Sequence, residues 1–98
     1  MVHMLVRHMI ADYKTWRGVF DNSLDFRHQR GEQGCRIFRD TEEDGESMLL
    51  LEFENTDQAH RYMNSPELKT KMQEAGVLGK PEIHYLSEMY TIRRSAAD

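Results

Sequence analysis

The order of strand-like and helix-like segments predicts an α+β, ferredoxin-like βαββαβ domain: a four-stranded antiparallel sheet with two helices on one face. Three observations carry that expectation. Alternating apolar runs open and close the chain, two more strand-like runs flank the short segment TEEDG, and amphipathic stretches fill the remaining gaps.

Residues 2–10, VHMLVRHMI, suit a strand, and Asp12 follows as an N-cap whose carboxylate can accept a first-turn backbone N–H. In DYKTWRGVFDNSLDFRHQRG the apolar positions Tyr13, Trp16, Phe20 and Leu24 step by three or four, which stacks them on one helical face. One long helix ending at Gly31 is expected, with Gly18 inside it costing about 1 kcal/mol relative to alanine. QGCRIFRD and ESMLLLEFEN then form an antiparallel pair across the TEEDG loop. Thr56 reads as the cap of a second helix through Ala59, Tyr62 and Met63. Pro66, lacking an N–H, breaks it, and Ser65 with Pro66 starts a fresh piece through Leu68 and Met72 to Gly76. GVLGKP reads as a turn and EIHYLSEMYTIR as the last strand. Residues 1–93 are expected to make one domain and 94–98 a flexible tail.

The chain has 98 residues, with 13 basic against 17 acidic side chains scattered along it rather than gathered in a stripe. Nucleic acid is therefore not an expected partner, since phosphate binding shows as a clustered basic surface. No run approaches the roughly 18 apolar residues of a membrane span, and no signal peptide is recognisable, so a cytoplasmic protein without membrane contact is expected. The single Cys35 allows no internal disulfide or cysteine zinc cluster and reads as a small buried hydrophobe. His3, His8, His28, His60 and His84 show neither HxH nor HExxH spacing, so no metal is expected. No glycine-rich phosphate loop is present, and no cofactor is expected.

Strand parity sorts the candidate residues. In the first strand His3, Leu5, Arg7 and Met9 share one face, and Met4, Val6, His8 and Ile10 the other. Leu49, Leu51 and Phe53 lie on one face of the third strand, Met48 and Leu50 on the other, so both faces want cover and a homodimer is expected. His8 falls in the more apolar row, near Tyr13 and Trp16, where a neutral imidazole could move a proton near neutral pH. Buried polar groups are as a rule satisfied structural ones, which makes a hydrogen-bonded rim histidine the first expectation. Trp16 and Phe20 suit a flat apolar wall for an aromatic ligand, with Tyr13 or Tyr85 adding a hydroxyl; core packing accounts for the aromatic stripe equally well. The first and last strands are expected neighbours, which could bring His84 towards His8. Arg36 and Arg39 lie on opposite faces of the second strand; an arginine paired with Glu52 across a dimer seam would fix register rather than do chemistry. His60 reads as an exposed helix residue, or else a haem ligand, and His28 as a favourable cation near a helix C-terminus.

With those segments in place, the chain resembles the dimeric α+β barrel superfamily, close to antibiotic biosynthesis monooxygenases and small cyclase-like proteins. The resemblance covers about residues 2–92 and is carried by VRHMIADYKTWRGVFD, GCRIFRD, LLLEFENTDQAHRYMNSPEL and AGVLGKPEI. It departs from the pattern at FDNS, where Ser23 stands in place of the histidine of an FDxH motif. The resemblance implies a pocket between sheet and helices for a small aromatic or enolic ligand, with His8 and His84 as candidate bases and Tyr13, Trp16, Phe20 and Tyr85 as substrate contacts. Because the scaffold is shared by oxygenases, isomerases, haem-degrading enzymes and stress-response proteins, a non-catalytic ligand-binding dimer and a haem-binding protein stay open as alternatives.

Overall fold

The computed structural model describes residues 1–42 and 45–94; positions 43 and 44 of the expected TEEDG loop and 95–98 of the expected tail lie outside the described residues. The elements follow as β1 (Val2–Ile10), α1 (Tyr13–Asn22), α2 (Leu24–Gln29), β2 (Gly34–Arg39), β3 (Glu46–Phe53), α3 (Thr56–Met63), α4 (Pro66–Glu74) and β4 (Val77–Leu86). Every strand pair is antiparallel, in the order β2-β3-β1-β4. This is the expected ferredoxin-like sheet, with each helical layer split in two.

Parity decides where the core sits. Met4 and Val6 of β1 pair with Leu51 and Leu49 of β3, and these side chains, with Phe53, are buried against Trp16, Ala59, Tyr62 and Leu68 from the helices. The opposite face carries Leu5, Arg7 and Met9 of β1, Met48 and Leu50 of β3, Arg36 and Phe38 of β2, and Glu82, His84 and Leu86 of β4. No element of the described chain crosses that second face.

The first helical stretch is not continuous. It breaks at Ser23, not at Gly18, because the Ser23 hydroxyl donates to the Val19 carbonyl at 2.7 Å and its N–H to the Phe20 carbonyl at 3.2 Å. Serine bonding back to the preceding turn bends or ends helices. The restart turns Phe26 and Arg27 inward and leaves Leu24, expected on the apolar face, 45 % exposed.

Three further boundaries differ from expectation. Asn55, not Thr56, caps α3, accepting the Gln58 N–H at 2.9 Å, and Thr56 is the first helical residue. Asn55→Ala is therefore expected to lower the unfolding free energy by about 1 kcal/mol, while Thr56→Ala changes it by less than about 0.5 kcal/mol; urea titration of both variants checks this. The last strand begins earlier and ends earlier than expected. Val77 and Leu78 of GVLGKP already pair with Ile10 and Met9, and the ladder stops at Leu86 opposite His3.

Inside β4 the ladder is interrupted. Arg7 pairs with Glu82 and Met9 with Leu78, so His8 alone faces residues 79–81. Gly79 takes a φ of +70°, a conformation glycine adopts at little cost, and Pro81 has no N–H to offer the ladder. The resulting bulge lies beside His8, a placement common next to functional sites.

Candidate functional site

A cavity of about 60 Å³ lies between the sheet and the helices. Val6 and His8 of β1 and Leu49 and Leu51 of β3 form its floor; Trp16, Phe20, Phe26 and Arg27 close one side, and Tyr62, Met63, Lys71 and Met72 the other. The lining is mostly apolar, so the few polar groups that enter it stand out.

His8 is the first of these. Its side chain is 6 % exposed, and neither ring nitrogen has a hydrogen-bond partner among the described residues. The expected hydrogen-bonded histidine thus finds no protein partner among the described residues. Cross-strand pairing sets it beside Ser47, whose buried hydroxyl is likewise unpartnered. Burial lowers the His8 pKa from the ordinary 6.5, so the ring is neutral at neutral pH and has a lone pair to accept a proton.

An aromatic column fixes the ring. The Trp16 indole meets His8 edge-on at 5.6 Å between centroids and stacks on Phe20 at 5.2 Å and 18°. Phe20 is in turn covered by the Arg27 guanidinium, 3.6 Å from its centroid. Arg27 also donates to the Phe20 carbonyl, and its Nε lies 3.4 Å from Glu32 Oε2, in an ion pair almost wholly buried on both sides. Removing one member of such a pair typically costs 3–5 kcal/mol because the other charge is left uncompensated.

Of the six candidate site residues, His8, Trp16 and Phe20 meet at this cavity, and Tyr13, His84 and Tyr85 do not. Tyr13 is at the surface, accepting from Arg17 Nη1 at 3.2 Å, and lines a separate, more polar hollow with Asp12, Arg39 and Ser47. His84 pairs with Leu5 and so projects from the opposite sheet face, 3.3 Å from Glu82; the expected approach to His8 is excluded by register. Tyr85 does share the helix-side face, through its pairing with Met4, but its ring stands 4.4 Å from the exposed His60, outside the cavity. His60, considered as a haem ligand, is thus an exposed residue outside the cavity. Arg36 and Phe38 lie on the open face, and within the chain Glu52 neighbours His3. Cys35 is part-buried, and burial pushes its thiol up to about 11, which leaves it protonated and a poor nucleophile at neutral pH.

Among the lining residues that the sequence did not single out are Phe26, Arg27 and Lys71. Lys71 had a signal, since it falls three residues after the buried Leu68 on the face that also carries Met72. Arg27 follows Ser23 by four and Phe20 by seven, but the eye prefers Leu24 for that stripe.

Sheet order, helices on one face and an aromatic cavity beneath them define an α+β fold of the kind found in dimeric α+β barrels. Solved structures agree. The chain has the fold of antibiotic biosynthesis monooxygenase-like proteins. It is similar to SnoaB, a cofactor-independent oxygenase from Streptomyces nogalater (TM-score 0.75, 14 % identity, 95 % of this chain and 97 % of that one). It is similar also to a candidate antibiotic biosynthesis monooxygenase from Bordetella bronchiseptica (0.78, 12 %, 91 % and 97 %). A third, from Caulobacter crescentus, has TM-score 0.67 and 19 % identity over 91 % and 90 % of the two chains. At such identities the likeness is one of fold. No family model and no curated protein matches the sequence.

Proposed function

We propose that the protein is a small homodimeric enzyme that acts, without a bound cofactor, on an enolic or phenolic aromatic molecule in the cavity beside Trp16, with His8 as the base. The observation that carries this reading is the buried, neutral, unpartnered imidazole edge-on to an aromatic wall. The solved structures of the same fold include one described as a cofactor-independent oxygenase, which supports the kind of chemistry.

In that chemistry His8 removes a proton from an acidic CH2 group of the substrate. The electron-rich carbanion passes one electron to dioxygen, and the radical pair combines to a substrate peroxide anion. This anion takes the proton back from His8. Loss of water, with His8 moving the second CH proton to the departing hydroxide, leaves a carbonyl. Dioxygen accepts four electrons, one oxygen atom ending in the product and the other in water. The chain supplies a base, an apolar cavity and orientation. Oxygen uptake measured against a panel of enolisable aromatic ketones and hydroquinones tests it; no uptake with any compound that binds beside Trp16 would refute the oxygenase step.

The cavity volume favours a second reading, a ligand-binding dimer without turnover. At about 60 Å³ it is well below the ~150 Å³ of an apolar cavity known to admit benzene. An aromatic occupant requires Met63 and Met72 to move, which flexible thioether side chains do readily.

The open sheet face supports the dimer. Leu5, Met9, Met48, Leu50, Phe38 and Leu86 form an uncovered apolar surface there, and Met89 and Tyr90 beyond β4 are 91 % and 80 % exposed. Two such faces packed together would remove this surface from water. Leu50→Lys at the centre of that face is expected to convert a dimer to a monomer in sedimentation velocity. An unchanged sedimentation coefficient would count against a face-to-face dimer.

A further inference from the structure

We infer that the occupant of this cavity is an aromatic anion whose negative group is held by Lys71. The inference deepens the reading of the cavity as a substrate site and rests on it. Two cations border the cavity, and their charges are differently committed. Arg27 is matched by the buried Glu32 and further tied to the Phe20 carbonyl, so it has no charge left for a ligand. Lys71 is not matched. Its helical neighbour one turn back, Glu67, is engaged by Arg30 of α2's C-terminal end, and no carboxylate among the described residues pairs with the Lys71 ammonium.

The position of that ammonium is fixed by the wall itself. Nζ lies 5.1 Å from the centroid of Phe26, which also lines the cavity, so the charge sits beside an aromatic surface. His8 adds no charge, since burial keeps it neutral. The cavity thus has one uncompensated positive charge in an apolar lining, where attraction for an anion is stronger than in bulk water. A carboxylate meeting Lys71 while the ring rests on Trp16 and Phe20 satisfies both features. A neutral aromatic satisfies one.

The test uses two probes of equal shape, 4-hydroxybenzoate and 4-hydroxybenzamide. Binding is followed by calorimetry and by the emission of Trp16, the single tryptophan, which reports on this cavity alone. The acid is expected to bind about tenfold more tightly than the amide. Lys71→Met should abolish that preference, and Lys69→Met, exposed on the same helix, should preserve it. Equal affinity for the two probes, or a preference that survives Lys71→Met, overturns the inference while leaving the cavity as a binding site. Failure of both probes to perturb Trp16 overturns the substrate-site reading and this inference with it. A preference for the acid together with His8-independent turnover upholds Lys71 and refutes only the base.

Discussion

His8→Gln is expected to lower turnover about 10²–10⁴-fold, the usual contribution of a positioned acid–base group, while the protein stays folded. Glutamine is close to histidine in size and keeps a polar amide, but it cannot accept a proton near neutral pH. Since the His8 ring nitrogens bond to nothing among the described residues, no native hydrogen bond is lost with them. Urea titration at pH 8 should therefore show a change within about 1 kcal/mol. A fall in turnover of less than tenfold would remove His8 from the chemistry.

The same residue sets a pH dependence whose sign follows from burial. Its folded pKa is lower than the unfolded value near 6.5, so on acidification the unfolded chain takes up the proton first. Stability conferred by the neutral ring is complete above about pH 6.5, declines as pH falls below it, and levels off once the folded ring is itself protonated. Turnover should hold on the neutral side and fall only below the ordinary histidine range. Glu46, Glu82, Arg7 and Lys80 border the hollow that His8 reaches on its bulge side. His8→Gln isolates the histidine contribution as the slope that disappears.

Phe53→Ala is expected to cost about 3–5 kcal/mol, the range for a fully buried phenylalanine. Phe53 sits at the end of β3 on the helix side, fully buried, with its ring 5.4 Å from that of Tyr62. Phe38, on the neighbouring strand, faces the other way, next to Met48 on the open sheet face. Phe38→Ala should change monomer stability by less than about 1 kcal/mol and act instead on self-association. Chemical denaturation at several protein concentrations separates the two. The Phe53→Ala loss is independent of concentration, whereas a Phe38→Ala effect is present only where the dimer is populated.

Much of this was legible before any coordinates, because a period of two leaves little freedom once one face is apolar. Leu49, Leu51 and Phe53 had to point together, and His8 had to follow Met4 and Val6. What parity could not supply was register. Whether His84 met His8 depended on one pairing, Leu5 with His84, which puts the two histidines on opposite faces. The bulge at residues 79–81 was hidden for a related reason: Gly79 and Pro81 read as a turn, and only the earlier pairing of Val77 with Ile10 shows that the strand has already begun. The helix break at Ser23 depended on a side chain bonding to its own backbone, a local competition that apolar periodicity does not record. That break is also what brings Arg27 under Phe20, so the charged side of the cavity was out of sight for the same cause.

The proposed chemistry requires His8 to be a neutral, accessible base in the cavity beside Trp16. The most direct measurement is the ring-nitrogen NMR titration of His8, recorded free and with 4-hydroxybenzoate. A neutral ring that titrates below 6.5 and shifts when the probe is added is the expected result. A ring that titrates at or above 6.5, or that does not respond while Trp16 reports binding, would contradict it.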